Sequence, residues 1–323
     1  MKRIMIILLF LAGCSQTSYT PVKENEFAAV LNIREPGLTF VDNDGSVISE
    51  WVFDELYTGG VLFPDGDTLL LYGTELDEAV LFSIRKGKEL DRWEVPSGVT
   101  GAAYIEETDE VALSVKEDRS VHFFQADGKE IKSVRTGKYP MTMVEYNEKL
   151  YVINYQDTVL SEMNVHTHEV EREFAIPTSS AGLAVDESKK ELWVGGHGYA
   201  ADAGETIHIY SLETGSLTAT ADAPVMPVAF AGDNGFMYTV SHGSNMIHAF
   251  NPGREKVAEA EAPANPFTIA SFAGHIISAG YDSGELSYYE KETLTLQKTI
   301  KIGEGPFMIF VKEGGMDGAR LNR

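Results

Sequence analysis

Three observations predict an all-β fold for this 323-residue chain. Short segments alternating apolar and polar residues follow one another from Phe27 to about residue 313, with no helical periodicity between them. They recur in sets of four, with start points at 29, 69, 111, 150, 192, 237 and 276, spaced by 40, 42, 39, 42, 45 and 39 residues. The last set ends in an additional strand, while the first set lacks one. Four short strands at this spacing are the pattern of propeller blades, so the sequence predicts a seven-bladed β-propeller of four-stranded antiparallel blades. Its C-terminal strand, Pro306 to Val311, is expected to complete the N-terminal blade and so remove an exposed edge.

The chain opens with the basic Met1-Lys2-Arg3 and an apolar run of eight, Ile4 to Leu11. That run is too short to span a bilayer and suits the core of a secretory signal. It ends in Leu11-Ala12-Gly13-Cys14, which resembles the bacterial lipoprotein lipobox. The resemblance implies that residues 1–13 are a signal peptide and that Cys14 is acylated. The protein would then sit on the extracytoplasmic face of a cell membrane, its partner there the lipid bilayer. Two or more acyl chains anchor stably where one is marginal. Cys14 is the only cysteine, so no disulfide, Cys-based metal site or Cys nucleophile is expected. Residues 14–26 are read as the lipidated cysteine and a flexible tether, 27–313 as the propeller, and 314–323 as a C-terminal tail.

The unit from Leu150 is typical: LYVIN, a loop, TVLSEMNV, a turn, VEREFAI, a proline, then AGLAVDE. The same order recurs from Leu192, Met237 and Ile276, and less regularly from Ala29, Leu69 and Val111. These units resemble the YVTN repeat of bacterial surface-associated propellers, and Gly137-Lys-Tyr-Pro140 and Gly303-Glu-Gly-Pro306 resemble that family's inter-blade signature. The tryptophan-centred motifs of quinone-cofactor propellers and the Gly-His and Trp-Asp marks of WD repeats are missing. No cofactor is expected.

The 49 carboxylates against 26 Lys and Arg give a net charge of -23. Removal of Lys2 and Arg3 with the signal leaves 24 - 49, or -25. Such a chain repels a phosphate backbone, which argues against nucleic acid as a partner.

Local motifs yield to the repeat. His166-Thr-His168 has a spacing open to a metal, but it falls where sister blades place Glu213-Thr-Gly215, Asp127-Gly-Lys129 and Pro252-Gly-Arg254. It is read as a turn. Gly196-His-Gly198 has no helix after it to face a pyrophosphate, and Asp42-Asn-Asp44-Gly45 lacks acidic end ligands for calcium and is read as a hairpin turn.

The repeat generates one constellation of its own. The fifth residue after each start point closes the second strand: Arg34, Thr74, Lys116, Tyr155, His197, His242 and Tyr281. In the family these loops ring the mouth of the central channel. The blade 5 loop, Gly196 to Thr206, is the longest and adds Tyr199, Asp202 and Glu205, while Asp282 follows Tyr281. Cationic and aromatic groups around one opening suit an anionic or sugar-like ligand. Two adjacent histidines would hold a metal only with a carboxylate such as Asp202 or Asp282 beside them; no metal site is assigned. The expected role is a monomeric binding or scaffolding module for a protein, envelope polymer or small ligand. The alternative is a lactonase-like hydrolase or lyase with its site at the channel mouth.

Overall fold

The computed structural model describes residues 18–199 and 202–314, so the lipobox, Cys14 and the tail from residue 315 lie outside the described residues. Seven four-stranded antiparallel sheets form the seven blades. Each blade from the second to the seventh runs in sequence order from axis to rim, as in blade 4: Pro140–Tyr146, Lys149–Asn154, Val159–Asn164 and Glu169–Ala175. Blade 1 is built from both ends of the propeller. Its innermost strand is Pro306–Lys312, paired antiparallel with Phe27–Asn32 in the register Phe27↔Lys312 to Asn32↔Pro306. The predicted closure is therefore present.

Burial falls from the second strand of each blade to its rim. Second strands such as Phe27–Asn32 are buried at every position, because each blade packs against a neighbour on both faces. Outermost strands such as Lys256–Glu261 are largely exposed and carry charge. Apolar side chains gather in seven clusters, one in each wedge between adjacent blades. Trp51, Trp93 and Trp193 fill three of these wedges. The core is thus a ring of wedges around an axis that remains open.

The turns between third and outermost strands share a left-handed residue. His168 takes φ 52° where blade 5 has Gly215 at 72° and blade 7 has Leu294 at 54°. The backbone N–H of each donates to the carbonyl four residues earlier, at 2.8–3.0 Å. The His-Thr-His motif is therefore turn chemistry, and the structure adds a role for it. The His168 imidazole packs on Phe123 and meets Glu110 of blade 3 at 2.7 Å. In blade 6 the left-handed Arg254 likewise forms a two-point pair with Glu191 of blade 5. Both latch a turn to the carboxylate that opens the preceding blade's second strand.

Residues 14–26 are not all tether, since the chain is docked from Ser18 onward. Tyr19 stacks on Trp51 at 4.8 Å, the Thr20 carbonyl accepts from Trp51 Nε1 at 2.9 Å, and Val22 is 1% exposed. Two apolar side chains in a polar stretch suffice to seat it in the wedge between blades 1 and 2.

Candidate functional site

The innermost strands carry a repeated irregularity that shapes the mouth. In six blades the register slips by one residue just after the strand begins, as at Pro227/Ala229, Pro266/Thr268 and Leu31/Asn32 opposite Phe307. The extra residue is a β-bulge, which re-aims a side chain. Blade 2 begins at Gly59 with no such slip. The residues at this position are Gly60, Thr100, Met141, Ala181, Val228, Phe267 and Phe307, and all seven line a central cavity of about 560 Å³.

Around that cavity the rim residues form a continuous arc of rings. Tyr139 meets Tyr155 at 5.8 Å, Tyr155 meets His197 edge-on at 5.9 Å, and His197 meets His242 at 5.8 Å. His242 packs on Phe267 at 4.4 Å, and Phe267 in turn touches Tyr281 at 5.8 Å and Phe307 at 5.5 Å. The Arg34 guanidinium closes the arc 5.7 Å from the Tyr281 ring centroid. Phe267, Phe307 and Tyr139 were not among the residues expected at the site. The signal for the first two was a phenylalanine directly after the proline of an inter-blade turn, the residue that the bulge turns toward the axis.

The expected residues separate into groups. Tyr155 and His197 line the cavity itself. Arg34 pairs with Asp282 at 3.7 Å, and Asp282 also accepts from Asn265 at 3.0 Å. Lys116 stands on the other side of the mouth, held by Glu75 at 3.7 Å and Glu117 at 3.8 Å. Thr74 hydrogen-bonds Thr58 at 3.0 Å. Tyr199 stands out from the rim at 71% exposed, in a two-strand hairpin of the blade 5 loop where its backbone pairs with that of Asp202.

Burial pushes the His197 pKa below its ordinary value, and the neighbouring His242 pushes it the same way. Burial also lowers His242, against the pull of Asp282 and Asn265. Both imidazoles are thus held neutral at pH 7, and the Nδ1 atom of each is buried without a hydrogen-bond partner. Among the described residues, one set of three potential metal ligands converges: Glu107, Glu148 and His166, exposed on the face opposite the mouth.

No family model matches the sequence, and no curated protein matches it. Solved structures share its fold. A functionally unknown protein from Desulfotomaculum acetoxidans aligns with a TM-score of 0.75 at 10% identity, covering 88% of this chain and 98% of that one. Hydrazine synthase of Kuenenia stuttgartiensis gives 0.69 at 13%, covering 79% and 89%. The dihydro-heme d1 dehydrogenase NirN, in complex with DHE, gives 0.67 at 12%, covering 90% and 67%. At such identities the likeness is one of fold, and chemistry must be argued from side chains.

Proposed function

We propose that this chain is a lipid-anchored, extracytoplasmic binding module that takes a saccharide portion of an envelope polymer at its channel mouth. The observation that carries the reading is the arc of rings from Tyr139 to Tyr281, standing over a cavity lined by Met141, Val228, Phe267 and Phe307. Flat rings offer apolar faces with polar edges, and a sugar ring offers the same combination. The cations favour a neutral ligand over a small anion, because Arg34 and Lys116 already face carboxylates. Anchoring rests on the lipobox ending at Cys14.

Calorimetric titration of the protein with envelope-polymer oligosaccharides tests the site. Binding that weakens tenfold or more in Tyr155→Ala or Phe267→Ala, with the melting transition still cooperative, supports it. No heat with any oligosaccharide, or binding indifferent to both changes, sinks it. Cys14→Ala tests the anchor, since membrane retention of a processed Cys14→Ala form would refute acylation.

One observation favours a hydrolase as the second reading: His197 is neutral and so able to accept a proton. Against it, neither mouth imidazole has a hydrogen-bonded carboxylate among the described residues to orient it as a general base. Turnover of a lactone that vanishes in His197→Ala would favour catalysis over binding.

A further inference from the structure

The segment that leads into the propeller docks beside a turn whose charge sets it apart. Seven turns join third to outermost strands, all on the face opposite the mouth. The turn of blade 2 carries Arg85 and Lys86, and Lys88 opens the strand after it. Of the other six, that of blade 1 carries Asp42 and Asp44, that of blade 5 carries Glu213, and the remaining four have no net charge. Arg85 and Lys86 are exposed, and none of the three cations is ion-paired among the described residues. Among the described residues the one carboxylate hydrogen-bonded to the turn is Asp67, which accepts from the Arg85 backbone N–H at 2.6 Å, so in a chain of net charge -23 the turn keeps a net positive charge.

The N-terminal segment is fixed to that spot. Ser18 bridges Lys88, the Tyr19 N–H donates to the Gly87 carbonyl at 2.6 Å, and the Val22 N–H donates to the Ile84 carbonyl at 3.1 Å. Cys14 precedes Ser18 by four residues, a reach of at most ~14 Å. An acyl group on Cys14 therefore holds the basic turn close to the bilayer surface, while the channel mouth is on the far face.

We propose that the Arg85–Lys88 turn is a contact surface for anionic phospholipid headgroups, seating the propeller by its blade 2 edge with the aromatic mouth turned away from the membrane. This rests on the acylation of Cys14 proposed above. A lipid chain combined with a basic patch is a sufficient pair of membrane signals. Each cation near an anionic leaflet strengthens binding about fivefold, an effect confined to a Debye length of about 8 Å at physiological salt. The acidic turn of blade 1 is repelled by the same surface, which fixes the edge that approaches. The mouth is then open to ligands from the envelope rather than to lipid.

The test uses the full-length lipidated protein in vesicles of phosphatidylglycerol and phosphatidylcholine, compared with phosphatidylcholine alone. With Cys14 acylated, Asp127→Cys on the blade 3 turn and Lys138→Cys at the mouth each offer one free thiol for a fluorophore, which nitroxide lipids quench on approach. The expected result is stronger quenching at position 127 than at 138 in the anionic vesicles, a contrast lost in the R85E/K86E/K88E variant and in high salt. Equal quenching at both positions, or a contrast unchanged by charge reversal, overturns the proposal. Flotation with the vesicles separates the two claims. Protein that floats but shows equal quenching refutes the orientation alone, and protein that fails to float refutes the anchor and the orientation with it.

Discussion

The two halves of the channel mouth are built on one backbone pattern and held together in different ways. From blade 3 to blade 5, hydroxyls stitch neighbouring innermost strands: Thr100 donates to the Pro140 carbonyl and Thr142 to the Ala181 carbonyl, each at 2.6 Å. From blade 6 to blade 1 the same level is bridged by rings, His242 on Phe267 and Phe267 on Phe307. A hydroxyl-to-carbonyl stitch presents no flat surface to the channel, and a ring contact presents one. At the level of the innermost strands the mouth is therefore one-sided, with the flat faces of Phe267 and Phe307 on blades 7 and 1 and the hydroxyls of Thr100 and Thr142 on blades 3 and 4.

The largest effect should come from forcing blades 3 and 4 apart at their innermost strands. A Cβ on Gly101 would meet the Met141 carbonyl oxygen at 1.8 Å and Ser114 Oγ at 2.8 Å. The first contact is backbone of the next blade, with no side chain to swing away. Gly101→Ala is expected to cost about 3 kcal/mol, in the upper range for overpacking, measured by denaturant unfolding. Next comes Phe267→Ala, which removes three ring contacts at once and should cost about 2 kcal/mol at this half-buried site. Met141→Ala on the opposite half makes no ring contact and should cost less. Equal losses at positions 267 and 141 would show that the two halves do not differ as described.

Much of this could be read from the sequence, and what could not has identifiable causes. The blades were readable because each strand set repeats its own local turn chemistry, with His168 and Gly215 filling one left-handed position. Closure was readable because the first set lacked the strand that the last one had to spare. The aromatic half was readable only in part. His197 and His242 fall on a simple offset from the repeat start, whereas Phe267 and Phe307 reach the mouth through a bulge that leaves alternation intact to the eye. The His168 latch was hidden because its partner, Glu110, lies 58 residues away on another blade. The docked Tyr19 was missed because its neighbours are polar and its partner, Trp51, is supplied by the fold.

The arc of rings should also be the pH-sensitive part of the mouth. His197 and His242 have pKa values depressed in the folded state, from an ordinary 6.5. The unfolded chain therefore binds more protons than the folded one between the depressed values and 6.5, so stability falls as pH drops through that window. Replacing both by glutamine removes this part of the loss. His208 and His248, depressed by burial elsewhere, remain in both proteins and cancel in the comparison. Melting temperatures recorded from about pH 7 to about pH 5 should fall less steeply in the double variant. Parallel curves would mean that the mouth imidazoles are not held neutral by their surroundings.

The smallest effect isolates a single stitch of the polar half. Thr100→Val keeps the shape of the side chain and removes the hydroxyl that donates to Pro140. The Pro140 carbonyl then loses that donor, at a cost of about 1 kcal/mol. Because the ligand is assigned to the rings opposite, saccharide affinity should stay within twofold while stability falls. The informative result is the ratio of the two losses. Phe267→Ala should reduce affinity far more than its stability cost suggests, and Thr100→Val should reduce stability with affinity untouched. If Thr100→Val weakens binding as much as Phe267→Ala does, the ligand spans the whole mouth and the one-sided reading fails.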